Sequence, residues 1–235
     1  MTADRADGWN HNSHYHDLLL AAVPAGCERA LDIGCGLGTF ARRLAARASH
    51  VDAIDENQAV VQQAREMSRG SERIRFVHAD FMTWTASEPY DLISMIAVLH
   101  HLPCADALTK AATLLRPGGV LAVVGLHRAR SLVHMGPRSL VAYPVSAFYR
   151  ITRPSSRVGA PVRDPTMTLR EIRRHADALL PGATIRRHLL WRYSLIWVKP
   201  QLTRADGAIR PRGAATSSWS SSSESPSSSM NVTAT

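Results

Sequence analysis

Apolar positions in the first two-thirds of the chain fall into short runs separated by helical patterns. Ala30–Ile33 is a short strand candidate that ends in a glycine-rich turn. Thr39–Ala48 places Phe40, Leu44 and Ala48 at i, i+4 and i+8, the stripe of an amphipathic helix. His50–Ile54 predicts a second strand, and Gln58–Ser68 a helix closed by Gly70. Ile74–His78 reads as a third strand. Tyr90–Met95 reads as a fourth, followed by a helix through Leu115. Val120–Gly125 is apolar throughout, which suits a central strand buried on both faces. Strands that alternate with helices imply a mostly parallel, doubly wound α/β sheet. Glu171–Leu180 predicts a further helix. Ala183–Leu189 and Tyr193–Lys199 lie too close for a crossover helix, so they form an antiparallel hairpin at one edge.

The end of the chain breaks this pattern. Ten of the thirteen residues from Ser217 to Ser229 are serine, and residues 204–235 have almost no large apolar side chain. Such a segment cannot bury enough surface to offset its ordering entropy, so 204–235 is expected to be a disordered tail behind a domain of residues 1–203. No apolar run reaches the ~18–20 residues of a membrane span. Three cysteines make no disulfide framework, the polar first residues do not read as a secretory signal, and a cytoplasmic location is the default.

Charge changes the picture in one place. The chain carries 28 Lys+Arg against 19 Asp+Glu, a net +9, and 26 of the basic residues are arginine. Residues 128–192 hold 13 arginines and only Asp164, Glu171 and Asp177, while the rest of the chain is close to neutral. A basic stretch invites a nucleic-acid reading. These arginines do not recur at helical spacing, however, and no aromatic residues interleave with them on a helix.

The chemistry concentrates at strand ends. Asp32-Ile33-Gly34-Cys35-Gly36-Leu37-Gly38-Thr39 puts three glycines at alternate positions between a strand and a helix. Glycine admits positive φ and close approach of a ligand to the backbone, and the helix start offers N–H groups. This points to a nucleotide-type ligand at the carboxyl ends of the strands. Thr39 stands where the dinucleotide fingerprint has its third glycine. Asp32 precedes the first glycine, Asp55 ends the second strand where a carboxylate can accept two ribose hydroxyls, and Asp80 ends the third where one can accept from an exocyclic amine. No cysteine or histidine set has metal-ligand spacing, so no metal is expected.

At these residues the chain resembles the class I S-adenosylmethionine-dependent methyltransferases of the small-molecule branch. The matching stretches are LDIGCGLGTF (31–40), VDAIDENQAV (51–60), IRFVHADF (74–81), YDLISMIAVLHHL (90–102) and LLRPGGVLAVV (114–124). The resemblance implies a Rossmann-like seven-stranded sheet and S-adenosyl-L-methionine as cofactor. It implies that Gly34, Cys35, Gly36 and Gly38 line the methionine part and that Asp32 orients its ammonium. Asp55 would hold the ribose, with Glu56 beside it. Asp80 would read the adenine amine, with Phe81 supplying an N–H or an apolar face. Met95, Ile96 and Ala97 would flank the sulfonium, and the segment Trp9–Tyr15 would close over the cofactor.

A methyl sulfonium already carries a good leaving group, so the protein must chiefly place a nucleophile in line and accept a proton. His100 and His101 follow the fourth strand and are the candidate catalytic bases, His101 ahead of His100. The acceptor pocket is expected from an insertion over residues 127–168. There Met135, Tyr143, Phe148 and Tyr149 suit an aromatic acceptor, and Arg138, Arg150 and Arg153 suit an anionic one. The expected activity is therefore methyl transfer to a small-molecule acceptor. The alternatives are an RNA methyltransferase using the basic 128–192 segment, a nicotinamide-dependent oxidoreductase of similar fold, and a non-catalytic binding module.

Overall fold

The central strand segments are apolar at successive positions, and that pattern builds a sheet buried on two faces. The computed structural model of the chain describes residues 15–128, 164–188, 191–205 and 208–212. Its main sheet comprises β1 (Arg29–Ile33), β2 (His50–Asp55), β3 (Ile74–His78), β4 (Tyr90–Ile96), β5 (Leu115–Leu126), β6 (Thr184–Arg187) and β7 (Arg192–Val198). The seven strands are ordered β3-β2-β1-β4-β5-β7-β6. The first five pair in parallel, and β7 runs antiparallel between β5 and β6. The Rossmann-like α/β architecture with an antiparallel edge hairpin, expected from the sequence, is the one observed.

Five α-helices cover the sheet among the described residues: α1 (His16–Leu20), α2 (Thr39–Leu44), α3 (Gln58–Met67), α4 (Cys104–Leu114) and α5 (Leu169–Leu179). On one face Leu31, Ile33, Ile93, Leu121 and Val123 pack with Ala107, Leu108 and Ala111 of α4 and Ile172 and Ala176 of α5. On the other, Ala30, Val51, Ala53, Leu92, Ala122 and Val124 pack with Leu19 of α1, Phe40 and Leu44 of α2 and Val61 of α3. Asn57 caps α3, its side chain accepting from the N–H groups of Ala59 and Val60. Thr168 and Glu171 form a capping box on α5.

A buried carboxylate ties the strands together. Asp52 of β2, fully buried, accepts from Arg75 Nε at 2.7 Å and Tyr90 Oη at 2.7 Å, and Arg29 Nη2 lies 3.5 Å away. Burial alone would raise its pKa, but the bonds from Arg75 and Tyr90 outweigh burial and hold it below the usual carboxylate value.

Where elements depart from expectation, local chemistry explains it. Helix α2 ends at Leu44 rather than Ala48, because Ala46 and Arg47 donate to carbonyls three residues back and tighten the last turn. The helix expected to run unbroken from β4 to Leu115 is split by Pro103. A 3₁₀ turn over Leu99–His101 comes first, and α4 starts at Cys104. Strand β5 begins at Leu115, upstream of Val120. Gly118 N donates to the Lys199 carbonyl there and Lys199 N donates to the Gly119 carbonyl, and a Cβ on Gly119 would lie 2.9 Å from the carbonyl oxygens of Arg116 and Tyr90.

Beyond the sheet, β8 (Gln201–Ala205) and β9 (Ala208–Arg212) form a two-stranded antiparallel sheet in a second compact unit that starts at Gln201. The position expected as the domain boundary, after residue 203, falls inside β8, and residues 204–205 and 208–212 lie in these strands. Residues 213–235, and most of the 127–168 insertion with Met135, Arg138, Tyr143, Phe148, Tyr149, Arg150 and Arg153, lie outside the described residues.

Candidate functional site

Strand order reverses between β1 and β4: β2 and β3 lie to one side, β5 to the other. The carboxyl ends of β1 and β4 therefore part at this point and leave a crevice, the place where open α/β sheets bind ligands. The glycine turn after β1 and the Ile96–His101 segment after β4 flank it.

Three glycines of the turn adopt positive φ, but for different reasons. A Cβ on Gly34 would lie 2.2 Å from Val98 Cγ2, and one on Gly38 would lie 2.6 Å from the Phe76 ring. A Cβ on Gly36 would meet nothing within 4 Å. Gly34 and Gly38 are thus required by packing, whereas Gly36 lies open to the crevice. The turn's amides are already committed. Gly34 and Cys35 both donate to the Ile54 carbonyl, at 2.8 and 3.0 Å, and Gly36 donates to Asp55 Oδ2 at 3.0 Å. The N–H groups of Gly34, Cys35 and Gly36 hold the turn's shape. What the turn offers a ligand is bare backbone at Gly36.

The acids sit around this turn. Asp55 bridges it to the start of α3, accepting from Gly36 N and, through Oδ1, from Asn57 N at 2.9 Å. Asp32, only 2% exposed, accepts from Ser94 Oγ at 2.8 Å through Oδ1, while its Oδ2 is buried with no hydrogen-bond partner. Burial raises the Asp32 carboxyl to about 7, and the Asp55 charge adds to this while the Ser94 bond opposes it. A buried carboxylate oxygen without a partner fits an incoming cationic N–H donor. Glu56 and Asp80 are exposed at the ends of β2 and β3, and Asp80 Oδ1 accepts from Met82 N at 2.8 Å.

Several expected residues prove to face inward. Met95 is fully buried in the core, and the Phe81 ring is buried beneath Lys110, whose Nζ lies 5.6 Å from the ring centroid. Ile96 packs partly against the opposite core, and Ala97 takes φ 56 while donating to the Val124 carbonyl at 2.7 Å. A non-glycine residue in this region is strained, and here it turns the chain sharply out of β4. The Cys35 thiol is pushed strongly up by burial and by Asp32 and Asp55, so it stays protonated and unreactive.

His100 and His101 occupy the 3₁₀ turn after β4, their rings 4.0 Å apart. Burial, the neighbouring His101 and Arg192 pull the His100 pKa down to about 4, and its Nδ1 is buried without a partner. Tyr15, the N-cap of α1, turns its ring toward His188, at 5.1 Å, and toward the Arg192 guanidinium, at 5.8 Å. Trp9–His14 lie outside the described residues. Among the described residues no group of acids, histidines and cysteines could hold a metal ion.

Ser94, Val98 and Arg192 were not legible as site residues. Ser94 falls inside an apolar strand. Arg192 carried one signal: it shares a strand face with Ser194 and Ile196, an unusual place for a cation.

Comparison with known proteins follows the same lines. A family model described as a methyltransferase domain matches residues 30–119. An uncharacterised methyltransferase of Mycobacterium tuberculosis (strain ATCC 25618 / H37Rv) is 37% identical over 195 residues, covering 82% of this chain and 98% of the relative. A trans-aconitate 2-methyltransferase of Methylobacterium radiotolerans is 42% identical over 109 residues, 45% of this chain and 41% of the relative. The crystal structure of the N-methyltransferase NodS from Bradyrhizobium japonicum WM9 with S-adenosyl-L-homocysteine aligns with TM-score 0.59 at 16% identity, over 84% of this chain and 91% of that one.

Proposed function

The chain belongs to the class I S-adenosylmethionine-dependent methyltransferases, and from that premise we propose that it methylates a small-molecule acceptor in the crevice between β1 and β4. The observation that carries this reading is the buried, unpartnered Oδ2 of Asp32 beside the open backbone of Gly36. When bound, S-adenosylmethionine supplies an electrophilic methyl group on a sulfonium.

The chain's own residues then bind and orient. Asp32 takes the donor's ammonium, and the bare backbone at Gly36 lets the methionine part lie close. Asp55, with Glu56 beside it, keeps lone pairs on its bridged carboxylate for the ribose hydroxyls, and Asp80 with the Phe81 amide meets the adenine edge. Ile96 and Ala97, where the chain turns out of β4, would flank the donor's sulfonium. A small acceptor is favoured because the partial relative over 109 residues is named for trans-aconitate.

The neighbouring histidines divide their work. His100, with its pKa near 4, is neutral at physiological pH and a weak base. The proton of a phenol or amine acceptor passes instead to His101 on the same turn. The test is a screen of phenols, quinols, amines and carboxylic acids with methyl-labelled donor. Label should enter at least one class, and Asp32→Asn should abolish the transfer. Labelling of none, with donor binding intact, would refute a small-molecule acceptor, and salt-sensitive labelling of RNA would replace it.

A further inference from the structure

Among the described residues Arg192 is a buried cation with no anion beside it. It opens β7 opposite Leu126, at the end of β5 and on the sheet edge that carries the glycine turn. It is 9% exposed, and its Nε and Nη1 are buried without a hydrogen-bond acceptor. Among the described residues it makes no ion pair, and its aromatic neighbour is Tyr15. A guanidinium taken from water and left unpaired is costly, so such groups are kept where something else completes them.

The surroundings select the missing partner. Residues 129–163, the insertion that follows β5, contain no Asp or Glu, so that segment cannot supply a side-chain carboxylate. Burial, with His101 and Arg192 adding to it, keeps His100 neutral, so it adds no second cation. One buried positive charge balances one negative charge, which favours a carboxylate over a phosphate that carries nearly two. Strand spacing of ~4.8 Å puts β7 about 10 Å from the end of β4 and about 14 Å from β1. The donor's ammonium and carboxylate share one carbon. A donor anchored on Asp32 therefore does not bring its own carboxylate across to β7.

We infer that Arg192 is the acceptor anchor, a specificity residue that pairs with a carboxylate of the methyl acceptor. The inference rests on the methyltransferase reading above and adds the acceptor's chemical class. The Tyr15 ring covers the guanidinium and excludes water, which strengthens the pairing.

The test uses the full chain saturated with S-adenosyl-L-homocysteine, and three carboxylate probes each matched with a neutral counterpart. The pairs are benzoate with benzamide, octanoate with octanamide, and trans-aconitate with its trimethyl ester. At least one carboxylate should raise Tm by several degrees, and its neutral partner should not. Arg192→Met should weaken that carboxylate at least about 30-fold, and Arg192→Lys should restore part of it. The homocysteine ligand should shift Tm equally in all three proteins. Because Arg192→Met removes an unpaired buried charge, it should melt no lower than the parent without probe. The inference is overturned if no carboxylate binds, or if binding survives in Arg192→Met. A loss of the homocysteine shift in Arg192→Met would make Arg192 part of the donor site. Absence of that shift in the parent protein would instead sink the methyltransferase reading.

Discussion

Asp32→Asn separates a structural carboxylate from one kept for a ligand. In the free protein burial lifts Asp32 from 3.8 to about 7. A carboxyl whose folded pKa is raised contributes stability that is full below its unfolded pKa and lost as pH rises through the folded one. Between pH 4 and pH 8 the ionised form therefore costs the fold up to about 4 kcal/mol, from roughly three units at 1.36 kcal/mol each. Asparagine keeps an oxygen for Ser94 but buries an amide N–H₂ where Oδ2 had no partner, a penalty of about 1–3 kcal/mol. The balance is a variant about 1–3 kcal/mol more stable than the parent at pH 8, and this margin shrinks as pH falls toward 4. Urea unfolding at several pH values measures it. Donor binding should move the other way. In the parent, S-adenosyl-L-homocysteine affinity should fall about tenfold from pH 8 to pH 6 as Asp32 protonates, and in Asp32→Asn it should be weak and flat across that range. A variant less stable than the parent by a margin that ignores pH, with unchanged ligand affinity, would show that Asp32 only supports the fold.

Other perturbations follow from the same geometry. Gly36→Ala should cost about 1 kcal/mol of stability for its positive φ, yet sharply weaken homocysteine binding by calorimetry, because its Cβ projects into open crevice. Gly34→Ala should cost at least about 2–3 kcal/mol in denaturant unfolding, because its Cβ meets Val98 at 2.2 Å. Asp52→Ala should lose about 1–3 kcal/mol at pH 7 by leaving the buried Tyr90 hydroxyl without its acceptor and breaking the Arg75 pair. The Asp52 contribution in the parent should fade as pH drops through its depressed pKa, which acid titration of unfolding reads out. His101→Ala should lower kcat for a phenolic acceptor about 10²–10⁴-fold. His100→Ala, at a histidine that burial already makes a weak base, should change kcat far less.

The fold was legible because the strand code is simple: apolar runs on β1 to β5, with glycine or an acid after most of them, admit little besides a doubly wound sheet. The glycine turn and the acids Asp32, Asp55 and Asp80 were legible for the same reason, since chain order alone puts strand ends side by side. What escaped notice depends on three-dimensional direction. Met95 and Phe81 stand at the right places along the chain, yet their side chains turn into the core. The use of Gly34 and Cys35 amides inside the turn depends on where the Ile54 carbonyl falls, which no local pattern encodes. Arg192 looked like one of thirteen arginines in a basic stretch. Only its strand register and burial set it apart. Pro103 was visible, but its effect of isolating His100 and His101 on a separate 3₁₀ turn follows from the hydrogen bond it cannot make.

Isothermal calorimetry of the full chain at pH 8 tests the central claim most directly, with S-adenosyl-L-homocysteine in one titration and NADH in another. The site around Asp32, Gly36 and Asp55 predicts one saturable homocysteine site per chain, weakened at least about tenfold by Asp32→Asn, and no heat from NADH. Saturable NADH binding with no homocysteine signal would contradict it.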